Sequence, residues 1–153
     1  MSADDNKIVI IWDITNNYNI KYQIDTKYGD IIYSCLLIFP KIIKDNYIIT
    51  STYSKSDDLG KSATKIYSLN TGEFIKYINN SNNIKIYYLL SWINKKNNNY
   101  YIIQISYGKI IINNLLEDEL YSELMPEPED HHASGFIYNK DNNDYLCSSS
   151  QNG

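Results

Sequence analysis

The sequence predicts an all-β fold, and three observations lead to this prediction. Residues 7–14 form a run of β-branched residues that ends in Trp12-Asp13, which is typical of a strand. Similar apolar runs recur along the 153 residues and are separated by turn residues. No segment keeps an apolar period near 3.6 residues without an interrupting turn signal, so no helix is expected.

The first half of the chain predicts six strands. After Trp12-Asp13, Thr15-Asn16-Asn17 is a turn, and the next strand alternates loosely, as an exposed outer strand does. Residues 30–39 are almost continuously apolar, which indicates a strand buried on both faces, and Pro40 ends it because proline cannot donate to a ladder. Gly72 supplies the positive φ of a later tight turn. The predicted strands are 7–14, 18–25, 30–39, 46–54, 63–69 and 73–78.

The second half repeats this order. A long apolar strand carries Trp92, which we expect in the strand core. A turn follows at 95–98, and Gly108 is a hinge between two further strands. A weak strand precedes the acidic loop 126–132 and a further strand follows it. Asp141-Asn142-Asn143-Asp144 predicts a hairpin turn. The predicted strands are 84–93, 99–107, 109–116, 119–125, 133–139 and 145–150.

Composition narrows the class of protein. Apolar residues make up 43% of the chain, which is enough for one globular domain. The surplus of Ile, Tyr, Asn and Lys is typical of AT-rich coding sequences, and because Ile and Tyr favour strands it also inflates the strand prediction. The net charge of −4 comes without a basic stripe, which argues against a nucleic-acid partner. Neither a signal peptide nor a run of ~20 apolar residues is present. We expect a soluble, cytoplasmic protein without a membrane partner, with Cys35 and Cys147 as reduced thiols and a disulfide as the minority alternative.

Trp12-Asp13-Ile14 is followed at repeat-like spacing by Tyr67-Ser68-Leu69 and Asn113-Asn114-Leu115. The spacings are 55 and 46 residues, counted from Trp12 to Tyr67 and from Tyr67 to Asn113. The last stretch carries His132, then Ser148, then Asn152-Gly153. This pattern resembles the WD40-repeat family, whose repeat of about 40–45 residues closes in Trp-Asp.

The resemblance implies part of a β-propeller built from four-stranded antiparallel WD40-like blades. Residues 7–14 would be the third strand of one blade, 18–69 and 73–116 two blades, and 119–153 an incomplete blade. The structural positions of the family would fall on Trp12, Asp13, Tyr67, Asn113, His132, Ser148 and Asn152. Because propellers close with about 4 to 8 blades, we expect closure by the remainder of a parent propeller or by a second copy.

The sequence offers little evidence of a catalytic or metal-binding site. Carboxylates cluster at 117–123 and 127–130, but runs of acidic residues beside Pro126 and Pro128 are usually solvated loops. His131 and His132 are adjacent, and neighbours on a strand point to opposite faces, so they are poorly placed to share a metal ion. The chain has neither a Gly-x-Ser-x-Gly elbow nor a phosphate loop. We therefore expect no catalytic residue, no metal and no cofactor.

The resulting functional prediction is a non-catalytic protein–protein interaction scaffold of WD40-repeat type. Partner contacts are expected in two variable loops, one acidic enough to favour basic partner segments. Two alternatives stay open: a propeller segment of a larger enzyme or multidomain protein, and a short chain that completes its propeller by homo-oligomerisation. The predicted partner-binding residues are Asp57, Asp58 and Lys61 in the first loop and Glu127, Glu129 and Asp130 in the second.

Overall fold

The computed structural model of the chain consists of β-strands and turns, and it contains no helix among the residues it describes. Described residues are 2–3, 8–13, 15, 19–25, 30–40, 45–54, 62–78, 85–117, 120–124 and 132–150. The strands are β1 (Ser2–Ala3), β2 (Ile8–Asp13), β3 (Asn19–Asp25), β4 (Asp30–Ile38), β5 (Tyr47–Ser54), β6 (Ser62–Ser68), β7 (Phe74–Ile78), β8 (Ile86–Ile93), β9 (Tyr100–Ser106), β10 (Lys109–Asn114), β11 (Leu120–Leu124), β12 (His132–Lys140) and β13 (Asn143–Ser150).

All strand pairs are antiparallel, and neighbours in sequence are neighbours in the sheets. Two sheets are four-stranded meanders, β4-β5-β6-β7 and β8-β9-β10-β11, and two are smaller, β1-β2-β3 and the hairpin β12-β13. The predicted all-β class and the four-stranded, blade-like sheets are confirmed. The four-stranded sheets begin one strand later than the blades 18–69 and 73–116 expected from the sequence. The strand at 19–25, for example, pairs with β2 and completes the preceding sheet.

The sheets share irregularities that reveal an internal repeat. The register between the first two strands shifts at equivalent points in β4, β8 and β12, where one extra residue is inserted. The register between the last two strands shifts immediately before Trp12, Tyr67 and Asn113. β-bulges of this kind are specific local features, so the three positions aligned from sequence are also equivalent in structure.

The chain divides into two compact units, residues 1–85 and 86–153. In the first unit, β2 and β3 pack their apolar faces against β4, β5 and β6. The core of this unit is formed mainly by β-branched side chains, which suit the pleated surface of a sheet. It contains Val9, Ile11, Ile24, Ile32, Ile48, Tyr67 and Leu69.

In the second unit, the hairpin β12-β13 packs on the four-stranded sheet. Ile137 and Leu146 of the hairpin contact a core of Tyr101, Ile103, Ile105, Ile110 and Ile112. A Cβ added at Gly135 would lie 2.7 Å from Ile105 Cδ1 and 2.8 Å from the carbonyl oxygen of Cys147. A side chain at this position would therefore require Ile105 of the sheet and the backbone of β13 in the hairpin itself to shift.

The same sheet contains a buried polar pair. Gln104 Nε2 donates a 2.6 Å hydrogen bond to Asn113 Oδ1, and both residues are almost fully buried. Because an unpaired amide in this place would carry a desolvation penalty, the pair fixes the register of β9 and β10.

Both cysteines lie within strands, Cys35 in β4 and Cys147 in β13. Cys35 and Cys147 are free, half-buried thiols, and burial raises the pKa of the Cys35 thiol. The described strands and turns include no helix that is long and apolar enough to cross a bilayer.

Candidate functional site

The turn between β8 and β9 is fixed by its own asparagines. The amide of Asn98 donates to the carbonyl of Asn94 at 2.8 Å, and the Asn94 amide donates to the carbonyl of Asn99 at 3.0 Å. Asn94 Oδ1 also accepts from the amide of Lys96 at 2.9 Å, and Asn98 takes a positive φ of 57°. Asparagine tolerates this left-handed conformation. The backbone of the turn is therefore closed by hydrogen bonds, and it carries Lys95 and Lys96 as exposed side chains.

The turn between β12 and β13 is a two-residue hairpin loop. Lys140 pairs with Asn143, and the intervening Asp141 and Asn142 have φ values of 52° and 62°. Two successive positive φ angles define a type I′ turn, whose twist matches that of the flanking strands. This confirms the hairpin turn predicted at 141–144 and places Asp144 at the start of β13.

Trp92 and Asp144 connect the four-stranded sheet to the hairpin. Trp92 Nε1 donates to Asp144 Oδ2 at 2.9 Å, across 52 residues of sequence. The other carboxylate oxygen, Oδ1, accepts from Asn139 Nδ2 at 2.6 Å. The hydrogen bond from Trp92, then that from Asn139, lowers the pKa of Asp144, and the charge of Lys95 adds to this effect. The carboxylate is therefore ionised at neutral pH, with both oxygens engaged.

Three aromatic side chains pack together beside this link. The Trp92 and Tyr101 rings are stacked, with centroids 4.9 Å apart and planes inclined by 29°. Tyr121 of β11 meets Tyr101 at 4.7 Å and the Trp92 ring edge-on at 6.1 Å. Both tilted and edge-on contacts are favourable for aromatic rings. Tyr101 is buried, whereas Tyr121 is 54% exposed, so the cluster extends from the core to the surface.

These groups surround an open groove of about 270 Å³, which we call the Trp92 groove. Trp92 and Tyr121 supply its aromatic surface. One turn contributes Asn94, Lys95 and Lys96, and the other contributes Asn142, Asn143 and Asp144. The volume lies just below the range of about 300–1,000 Å³ that is typical of small-molecule sites. The groove therefore suits one or two side chains of a partner better than a large cofactor.

Four of the positions predicted from the resemblance lie in the sheets and have described side chains. Trp12 is 38% exposed in β2, and Tyr67 is buried in β6, where its ring meets Phe74 edge-on at 5.9 Å. Asn113 is buried in β10 as the acceptor of the Gln104 side chain. Ser148 is exposed on β13 and pairs with Gly135. None of these four residues lines the Trp92 groove.

For the remaining predicted positions, the structure describes either the backbone alone or no atoms. Asp13 and His132 lie in β2 and β12, where only their backbone is described, and His132 pairs with Ser150. Six loop residues and one terminal residue lie outside the described residues: Asp57, Asp58, Lys61, Glu127, Glu129, Asp130 and Asn152. Within the described strands and turns, no group of three or more His, Cys, Asp or Glu side chains is placed to hold a metal ion.

Sequence reasoning did not identify the groove residues. The sequence predicts Trp92 in the core of a strand and places Lys95 and Lys96 in a turn. One local signal was present: two consecutive lysines follow a tryptophan closely, in a chain with a net charge of −4. Comparison with known proteins adds no assignment, because no family model matches the chain and no curated protein matches it.

Proposed function

We propose that the chain is a non-catalytic protein-binding module of WD40-repeat type, and that the Trp92 groove is a docking surface. The observation that carries this proposal is the groove itself. Its aromatic groups are held by stacking and by the Trp92–Asp144 hydrogen bond, and its polar rim comes from two hydrogen-bonded turns. Rigid aromatic anchors with a polar rim are the usual composition of a binding hot spot, because little side-chain entropy is lost on association.

The repeat geometry supports the resemblance on which this proposal draws. The bulges that precede Trp12, Tyr67 and Asn113 give each repeat the same strand irregularity despite different residues. Repeated four-stranded sheets joined by turns offer docking surfaces at the turns, where side chains vary without loss of the sheet core.

The proposal is tested by site-specific photo-cross-linking in extract of the source cells. A benzoyl-phenylalanine replaces Tyr121 in the groove or, as a matched control, the similarly exposed Tyr77 of β7. We expect a protein adduct that forms from position 121, is absent from position 77, and disappears when Lys95→Glu is added. The same adduct from both positions, or no adduct that depends on Lys95, would contradict a docking role for the groove.

A second candidate, homo-oligomerisation, is favoured by the hairpin β12-β13. One face of this hairpin leaves Phe136, Tyr138 and Tyr145 at least half exposed. Among the described strands, no third strand pairs with the hairpin. Exposed apolar surface and free strand edges favour association with another chain.

Light scattering on the purified chain tests this candidate. We expect a discrete dimer of twice the 17.8 kDa monomer mass that dissociates in a Phe136→Ser/Tyr138→Ser variant but not in Tyr77→Ser. A monomer at all concentrations would exclude homo-oligomerisation as the means of covering this face.

A further inference from the structure

The Trp92 groove has a charge opposite to that of the chain as a whole. Lys95 and Lys96 contribute two positive charges against the single negative charge of Asp144, while the net charge of the chain is −4. Both lysines are exposed, and neither forms a salt bridge with a described residue. Because the turn backbone is fixed by four hydrogen bonds involving Asn94, Asn97, Asn98 and Asn99, the Cα atoms of both lysines are held at the rim of the groove.

The indole nitrogen of Trp92 already has a hydrogen-bond partner. The indole N–H of Trp92 is donated to Asp144, and one ring face is covered by Tyr101. What the groove offers from Trp92 is therefore ring carbon, together with the exposed ring of Tyr121. An apolar or aromatic side chain gains most from such a surface because it leaves no buried polar group unpaired.

The same geometry disfavours a cationic ligand. Cation recognition by aromatic side chains needs the cation over a ring face, within about 6 Å of the centroid. Trp92 and Tyr121 are in edge-on contact, with centroids 6.1 Å apart, so an ammonium group does not fit between them. Lys95 and Lys96 would also repel it, since like charges across an interface are unfavourable.

We propose that the Trp92 groove binds an acidic peptide segment, with one aromatic or aliphatic side chain against Trp92 and Tyr121 and flanking carboxylates beside Lys95 and Lys96. This inference rests on the proposed docking role and names its partner chemistry. The contact is small, so the affinity falls at the weak end of protein interactions, with a Kd of about 10 µM to 1 mM.

The test uses the full chain and a defined probe. The probe is a dye-labelled peptide, Glu-Glu-Phe-Glu-Glu, blocked at both ends, and binding is followed by fluorescence anisotropy. Three control peptides replace the glutamates with lysine, the phenylalanine with alanine, or the phenylalanine with trimethyl-lysine. In a Trp12→Phe background Trp92 is the single tryptophan, so quenching of its emission locates binding at the groove.

We expect saturable binding of the acidic phenylalanine peptide and at least tenfold weaker binding of each control peptide. Lys95→Glu and Lys96→Glu each weaken binding about fivefold, and 0.5 M salt has a similar effect, because the attraction is between exposed charges. Tyr121→Ser weakens binding about tenfold through the lost ring contact. Lys21→Glu, which changes the net charge equally at an exposed site on β3, leaves the affinity within twofold.

The outcomes separate this inference from the docking role. Preference for the lysine peptide, with quenching of Trp92, would overturn the acidic assignment and keep the groove as a docking surface. Preference for the trimethyl-lysine peptide, which keeps the four glutamates, would overturn the apolar side chain against Trp92 and Tyr121, and with it the inference. Equal weakening by Lys21→Glu and Lys95→Glu would reduce the effect to non-specific charge and overturn the inference. No saturable binding of any peptide would overturn it as well, and the cross-linking experiment at position 121 would then decide the docking role independently.

Discussion

Replacing Gly135 with alanine is the sharpest test of how the hairpin β12-β13 is held on its sheet. The added Cβ would lie 2.7 Å from Ile105 Cδ1 and 2.8 Å from the Cys147 carbonyl oxygen. Comfortable contacts of this kind are about 3.5–4.0 Å, so the groups must separate by roughly 1 Å. The carbonyl oxygen belongs to the backbone and resists this shift, whereas Ile105 Cδ1 is the far end of a side chain, although that side chain is fully buried.

The cost follows from two opposing effects. Overpacking a well-filled core costs about 1–3 kcal/mol, while the loss of glycine flexibility in the unfolded chain returns about 0.4–1 kcal/mol. We expect Gly135→Ala to lower the free energy of unfolding by about 1–2 kcal/mol, which is a fall in Tm of about 3–6 °C for a chain of this size. Urea unfolding followed by Trp92 emission in the Trp12→Phe background measures the change within the second unit.

A double-mutant cycle identifies the cause. Ile105→Val removes the Cδ1 methyl that the new Cβ would meet, at its own cost of about 0.5–1.5 kcal/mol. If the clash is the cause, the double variant is more stable than the sum of the single effects by about 0.5–1 kcal/mol. Gly72→Ala is the control, because its φ of 74° strains alanine while its nearest neighbour is 3.9 Å away; it should show no coupling with Ile105→Val. Strict additivity at Gly135, or a Gly135→Ala protein as stable as the parent, would refute the packing argument.

Three further predictions follow from single contacts. Because the pKa of Asp144 is lowered in the folded state, the ionised carboxylate stabilises the folded state above the unfolded-state pKa of about 3.9. This stabilisation is lost as pH falls through the lower folded-state pKa. Trp92 emission should therefore change on acidification below about pH 4, and the change should be absent in Asp144→Asn. Asn113→Ala removes the buried acceptor of Gln104 Nε2 and should lower the free energy of unfolding in urea by about 1–3 kcal/mol. The control Ser149→Ala removes an exposed hydroxyl pair and should lower it by under about 0.5 kcal/mol. Equal losses in the two variants would contradict the role of the buried pair. Burial raises the pKa of Cys35, so iodoacetamide should modify it more slowly than a free cysteine analogue at pH 8 by mass spectrometry, with a rate that rises at higher pH; equal rates would show that the thiol is accessible and unperturbed.

The strands could be predicted because their signals are local. Apolar runs, Pro40, Gly72 and the turn at 141–144 act within a few residues, and each predicted strand has a counterpart in the structure. β1 was not predicted, since two residues carry no periodicity and its existence depends on pairing with Val9 and Ile10 of β2. The assignment of the strand at 19–25 to the sheet that precedes it likewise depends on pairing, which a pattern along the chain does not specify.

The groove could not be predicted, since its members come from separate parts of the chain. Trp92 meets Asp144 across 52 residues, and Tyr121 reaches both rings from another strand. A tryptophan within an apolar run has the same local pattern whether its indole is enclosed or half exposed. The asparagine-rich stretch predicts a turn at 95–98, but the surplus of asparagine in the composition hid which of Asn94, Asn97 and Asn98 fix that turn.

The groove therefore depends on the docking of one repeat against the next. Its lysines are carried by the four-stranded sheet and its carboxylate by the hairpin, and the hairpin meets Ile105 of that sheet at Gly135, where there is no Cβ. This dependence separates two classes of variant. Gly135→Ala should weaken both folding and peptide binding, because it moves Asp144 away from the indole. Lys96→Glu should weaken binding alone, because its exposed side chain forms no salt bridge with a described residue. If Gly135→Ala lowered stability without changing peptide affinity, the groove would be formed by the four-stranded sheet by itself, and the hairpin would not be part of the site.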